Sequence, residues 1–142
     1  MYIGIDLVEV KRIEDLFSRN ESFLRRIYTP KEVEYCQDKK NKFQHLAARF
    51  ATKEAVIKAL GGGAGWKDIE LLNDPTGRPY LHLYGRAKER ADAKGIGNCE
   101  VSVTHTKDYA IAQVLLVPSA ECGTQSAKFR IPHSEPRITQ IP

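Results

Sequence analysis

Two carboxylates, Asp6 and Glu54, stand where packing does not readily explain them, and with Lys58 they are the side chains of this sequence best suited to chemistry. Glu54 falls within residues 43–60, where Phe43, Leu46, Ala47, Phe50 and Ile57 recur with a helical period. At ~100° per residue it points within roughly 20–40° of Phe43, Phe50 and Ile57, so a carboxylate sits in the seam of an apolar face. Such a group requires a metal ion, a cation or a proton. Lys58, one turn on, is an available cation, and a plain Glu54–Lys58 pair on a helix flank, worth roughly 0.2–0.5 kcal/mol, is the bland alternative. Arg49 and Lys53, themselves one turn apart, form a second basic row beside this face. Asp6 lies in a period-2 stretch, with Ile3, Ile5 and Leu7 on one face and Tyr2, Gly4, Asp6 and Val8 on the other. Gly4 leaves open space beside it. An Asp there can hold an ion, or it can be a strand end meeting water.

The elements that must position these groups follow from local signals. Residues 1–10 read as a strand. From 10 to 28 the pattern is helical, with Ile13, Leu16, Phe17, Leu24 and Ile27 toward the core and an interruption at Asn20-Glu-Ser22. Arg12, Arg19 and Arg26 lie seven apart on this stretch, which makes them one basic stripe suited to an acidic helix or a phosphate-bearing partner, or else a solvated face. Thr29-Pro-Lys-Glu32 carries an N-cap threonine, proline at the first helical position and glutamate three residues on, so a helix starts at Pro30. The 43–60 helix has strong helix formers throughout and is stopped by Gly61-Gly-Gly63. The run Gly61-Gly-Gly-Ala-Gly65 lets backbone approach an anion where Arg49, Lys53 and Lys58 gather charge, but it lacks the lysine and hydroxyl residue of a Walker loop. Residues 69–72 and 80–84 pair as strands around Asn73-Asp-Pro-Thr-Gly77. Residues 86–94 are helical, and 100–106 and 109–117 form a second hairpin with His105 at its mouth.

Composition narrows the class. The chain has 142 residues, enough for one domain with a real core. It has no run of eighteen apolar residues and therefore no expected membrane span. Cys36, Cys99 and Cys122 are far apart without ligand spacing and are expected to be reduced structural thiols. The first residues lack a basic leader region, and a cytoplasmic protein is expected. A net charge of +4 is too modest to indicate nucleic acid. Residues 118–142 hold four of the seven prolines and show no helix or strand period, and are read as a disordered or surface-lying tail following a domain of residues 1–117.

Three blocks in order resemble the holo-acyl-carrier-protein synthases, the short bacterial type of 4′-phosphopantetheinyl transferase. They are Gly4-Ile-Asp6-Leu-Val-Glu-Val-Lys-Arg12-Ile13, then Arg49-Phe-Ala-Thr-Lys53-Glu54-Ala55-Val-Ile-Lys58-Ala59, then Val101-Ser102-Val-Thr104-His105-Thr106-Lys-Asp-Tyr-Ala110-Ile-Ala112. The resemblance covers residues 1 to about 117, and Gly77-Arg-Pro79-Tyr80 also fits it; the tail is longer than the family pattern. It implies an α+β fold, a small antiparallel sheet packed with helices around one central helix that carries the Lys-Glu-Ala motif. It also implies a reaction, transfer of the phosphopantetheine arm of coenzyme A to a serine of an acyl carrier protein with release of 3′,5′-adenosine diphosphate, in support of fatty acid biosynthesis.

By the same resemblance Asp6 and Glu54 ligate Mg²⁺, which agrees with the habit of that ion of taking one or two carboxylates and filling its other positions with water and substrate phosphate. Lys58 is then the cation nearest the bridging or leaving phosphate oxygen. Glu54, or a water it orients on the metal, takes the serine proton. Arg49 and Lys53, the glycines Gly63 and Gly65, and His105 with Thr106 hold the adenosine and its 3′-phosphate. The stripe of Arg12, Arg19 and Arg26 is expected to face outward and receive the acidic carrier protein, and the resemblance implies a trimer with sites shared between subunits. A non-catalytic module that binds carrier proteins leaves Asp6 and Glu54 unexplained. A small basic nucleic-acid-binding protein would need exposed aromatic residues among the basic ones, whereas Phe17 and Phe23 read as core.

Overall fold

The structure is a computed structural model that describes residues 1–120. Strand β1 (Tyr2–Glu9) leads into α1 (Val10–Arg19), α2 (Glu21–Ile27), α3 (Pro30–Gln37) and the long α4 (Lys42–Leu60). A short 3₁₀ turn (Trp66–Asp68) opens β2 (Ile69–Asn73), followed by β3 (Pro79–Leu83), α5 (Gly85–Ala93), β4 (Ile96–His105) and β5 (Tyr109–Pro118). The strands form two antiparallel sheets, β1-β5-β4 and the hairpin β2-β3. The fold is α+β around one central helix, as the sequence implied. The proline-rich stretch read as a tail lies, from residue 121, outside the described residues. Pro118 still belongs to β5.

Local chemistry accounts for the helix ends. Thr29 and Glu32 form the expected capping box, with Thr29 N–H donating to Glu32 Oε2 at 2.9 Å. Helix α4 ends where Gly61 takes a left-handed φ of 78° and the Gly62 N–H reaches back to the Ile57 carbonyl at 2.8 Å. Asn20, extended at φ −156°, separates α1 from α2. The seven-residue arginine stripe is therefore broken: Arg12 and Arg19 share α1, while Arg26 sits on α2, and all three are exposed.

Helix α4 is covered by β1, β5, α1, α3 and β2, so almost its whole circumference from Leu46 to Leu60 is buried rather than one stripe. Arg49 and Lys53, read as a basic row beside the apolar face, are 2% and 0% exposed. Glu54 and Ile57 are only half-buried. The space expected beside Gly4 is filled: a Cβ there would lie 1.9 Å from the Ala55 carbonyl oxygen, so this glycine is what lets β1 press against the backbone of α4. Gly4 and Val8 are buried on the face of β1 toward α4, while Ile3, Ile5 and Leu7 are 62%, 58% and 55% exposed on the outer face.

Candidate functional site

The close seat of β1 on α4 brings Asp6 to Lys58. The Lys58 ammonium donates to Asp6 Oδ1 at 2.7 Å and to the Ile5 carbonyl at 3.0 Å. Asp6 is largely enclosed, with 15% of its side chain exposed, and Lys58 is 54% exposed. The cation next to Glu54 in sequence thus serves the other carboxylate. Glu54, one turn back along α4, instead accepts the indole N–H of Trp66 on Oε1 at 2.6 Å. Lys58 of α4 thus meets Asp6 of β1, and Glu54 lies one turn back on the same helix. Trp66 was missed; its only sequence signal was position just past the glycine run.

These residues suit a magnesium ion. Asp6 is largely enclosed, so its charge needs a positive partner, and Lys58 holds that place through Oδ1. Glu54 commits Oε1 to the indole, and Oε2 lies outside that bond. Two hard oxygen donors are what such an ion takes from protein when substrate phosphate supplies the rest.

Arg49 and His105 come together elsewhere. With Tyr35, His45, Asn73 and Pro79 they line a hollow of about 240 Å³. Arg49 Nη2 donates to Asn73 Oδ1 at 3.0 Å and its guanidinium lies 4.2 Å from the Tyr35 ring centroid. Among the described residues Arg49 Nε is the buried side-chain polar atom without a partner. An unpaired buried N–H on a cation is costly, and this one belongs to a residue that lines the hollow. His105, half-buried rather than a surface residue, lies 2.8 Å by Nδ1 from Gln44 Oε1 and 5.1 Å from the ring of His45. Burial first, then the charges of His105, Arg49 and Lys39, hold the pKa of His45 below 6.5. Thr106 closes the β4–β5 turn, its Oγ1 accepting from the Tyr109 N–H at 3.1 Å.

The remaining sequence-derived candidates are placed differently. Lys53 points into the interior, where it pairs with Glu32 Oε2 at 2.8 Å and donates to the carbonyls of Trp66, at 2.9 Å, and of Ile69. The wholly buried ammonium has no open side from which to touch a cofactor. The glycine loop likewise gathers a different cation from those expected: Arg90 of α5 reaches the Gly61 carbonyl at 3.5 Å and would lie 2.7 Å from a Cβ on Gly63. Gly63 has φ 75°, and the Gly65 N–H donates to Asp68 Oδ2 at 3.2 Å. Arg49 and Lys53 are turned away because the elements packed on α4 bury them.

The chain has clear relatives. A holo-[acyl-carrier-protein] synthase of Thermoanaerobacter sp. (strain X514) is 43% identical over 120 residues, covering 82% of this chain and 87% of that one. The crystal structure of the holo-ACP-synthase of Plasmodium yoelii superposes with a TM-score of 0.74 at 32% identity, over 83% of this chain and 94% of that chain. The Helicobacter pylori holo-[acyl-carrier-protein] synthase, solved in complex with coenzyme A, gives a TM-score of 0.71 at 35% identity, over 81% and 99%. The pattern of the 4′-phosphopantetheinyl transferase superfamily runs through residues 2–114. Since that span takes in β1, all of α4 and the β4–β5 turn, and so Asp6, Glu54, Lys58 and His105 alike, the chain belongs to the 4′-phosphopantetheinyl transferase superfamily.

Proposed function

We propose that this chain transfers the 4′-phosphopantetheine arm of coenzyme A to a serine of an apo acyl carrier protein, releasing 3′,5′-adenosine diphosphate. The observation that carries the reading is the meeting of Asp6 with Lys58 one helical turn from Glu54, on the helix that bears the superfamily's motif. In the reaction a bond forms between the serine oxygen and the β-phosphorus of coenzyme A, and the bond from that phosphorus to the bridging oxygen breaks.

Asp6 and Glu54 would hold the Mg²⁺. When bound, the ion supplies positive charge to the pyrophosphate and to the oxygen that leaves with the adenosine diphosphate. Lys58 then exchanges Asp6 for a phosphate oxygen; its half-exposed ammonium is free to make that move. A donor aimed where negative charge develops is worth most when it is already in place. Glu54 is the base that takes the serine proton, directly or through a water. Arg49, with its unpaired Nε, and His105 bind the 3′-phosphate in their hollow, and the backbone at Gly63 and Gly65 lies along the pyrophosphate.

A homotrimer explains why the hollow and the carboxylates sit apart in one chain. Arg49 precedes Glu54 by five residues, which on a helix is ~140° of rotation. The two groups therefore open in different directions, and subunits joined in a ring can face one toward the other. The exposed apolar row Ile3, Ile5 and Leu7, continued in register by Leu115 and Ile111 of β5, is the surface for such joining. Carrier protein docks at Arg12, Arg19 and Arg26, and the product serves fatty acid biosynthesis in the cytoplasm.

The test is to incubate the protein with coenzyme A, Mg²⁺ and an apo carrier protein and to weigh the carrier. A gain of one phosphopantetheine arm is expected. No gain, in a folded preparation tried with several carriers, overturns the proposal.

A further inference from the structure

Trp66 is the single tryptophan of the chain, and two adjacent residues of α4 hold it from two sides. The Lys53 ammonium grips its carbonyl at 2.9 Å, and the Glu54 carboxylate accepts its indole N–H at 2.6 Å. Lys53 is in turn locked to Glu32, whose Oε1 accepts the Leu71 N–H at 3.0 Å. The backbone on both sides of the 3₁₀ turn is therefore tied to the core. The ring is wedged between Phe50, at 5.9 Å between centroids, and Phe23, at 6.4 Å. A side chain held this firmly is a rigid donor.

Glu54 by contrast is half-buried and has a flexible side chain whose rotamers must be restricted before it can ligate or accept a proton. A charge-assisted hydrogen bond from a fixed ring supplies that restriction. We infer that Trp66 is a positioning residue for the transfer reaction: its indole N–H fixes Glu54 through Oε1, leaving Oε2 for the divalent cation. The inference rests on the reading of Glu54 as a metal ligand. Groups that hydrogen-bond a ligating carboxylate typically govern metal affinity or activity by ~10–100-fold.

The lone indole is also its own reporter. In the unmodified protein with coenzyme A present, Mn²⁺ binding is counted by electron paramagnetic resonance of the free ion, while Trp66 fluorescence is followed in a parallel Mg²⁺ titration against bound-ion calorimetry. The fluorescence should change saturably with the calorimetric midpoint, and should not change in Glu54→Gln. Trp66→Phe keeps the ring and loses the N–H. It should bind Mn²⁺ about 10–100-fold more weakly, with kcat lowered at limiting Mg²⁺ and recovered at high Mg²⁺, and with the coenzyme A KM unmoved. Wild-type affinity in a folded Trp66→Phe, or an indole signal indifferent to Mg²⁺ that calorimetry shows to be bound, overturns the inference. If Trp66→Phe does not fold, the fluorescence of the unmodified protein decides. If Glu54→Gln binds Mn²⁺ as well as the unmodified protein does, the ligand reading has failed and this inference falls with it; if only Trp66→Phe is without effect, this inference alone falls.

Discussion

Lys53 Nζ lies 2.8 Å from Glu32 Oε2 with both side chains wholly buried, so the residue that caps α3 also neutralises a cation sunk in α4. Glu32 accepts two backbone N–H groups as well, from Thr29 and Leu71. Removing one partner strands the other charge in the interior. Lys53→Met or Glu32→Gln should therefore cost about 3–5 kcal/mol of stability. The double variant should cost less than the sum of the two. Urea unfolding of the three proteins checks this; strictly additive losses would mean that the pair is not coupled.

The carboxylates should behave oppositely, with a large effect on rate and a small one on stability. Asp6→Asn and Glu54→Gln should abolish transfer while the fold survives. Lys58→Ala should lower kcat by ~10²–10³, the usual loss when a donor to a developing oxyanion is removed. The melting temperature should barely move, because Lys58 is half-exposed and exposed ion pairs stabilise little. A collapse in melting temperature with full activity in the folded fraction would make Lys58 merely structural.

The three arginines are exposed and spread over two helices, so their effect should be on encounter with an acidic carrier. Arg12→Glu, Arg19→Glu and Arg26→Glu should raise the carrier KM at low ionic strength and leave the coenzyme A KM alone. The effect should fade in high salt, where the Debye length falls below ~8–10 Å. Arg12, six residues after Asp6 by way of the end of β1 and the start of α1, should cost the most. Unchanged carrier KM in all three would leave them a solvated face.

His45 makes the hollow pH-sensitive. Its pKa is held below 6.5, chiefly by burial and then by His105, Arg49 and Lys39, while Asn41 Oδ1 bonds Nε2 at 3.1 Å and Tyr35 packs against the ring. The unfolded chain therefore takes up this proton first. Stability from this residue is fully present above pH 6.5 and is lost as pH falls through 6.5 toward the lower folded value. His45→Gln should flatten the acid limb of the stability curve. Coenzyme A, by placing phosphate beside Arg49, should raise the His45 pKa, which is read as proton uptake by calorimetry in buffers of different ionisation enthalpy near pH 6.

Assembly should depend on the outer face of β1. Ile5→Glu or Leu7→Glu puts charge into the exposed apolar row and should convert a trimer, measured by sedimentation, into monomers that fold but do not transfer. A sedimentation mass of one chain for the unmodified protein would remove the trimer from the proposal.

What the sequence determined by itself was local or carried by motif. The Thr29–Glu32 box, the stop at Gly61, the turn around Asp74 and Gly77 and the placing of Glu54 one turn before Lys58 were all legible, because each depends on neighbours along the chain or on a spacing kept within one helix. The tertiary structure decided which partner each charged group takes. A hydrophobic period says that a helix has a buried side, but not that other elements will close over it all round; hence Arg49 and Lys53, expected beside the core, went into it. Glu32 meets Lys53, Lys58 meets Asp6 and Trp66 meets Glu54 across breaks in secondary structure that no local pattern spans. Gly4 shows the reason most simply: in sequence it is an empty place beside Asp6, and in the fold it is filled by the backbone of α4, which is how Asp6 arrives at Lys58.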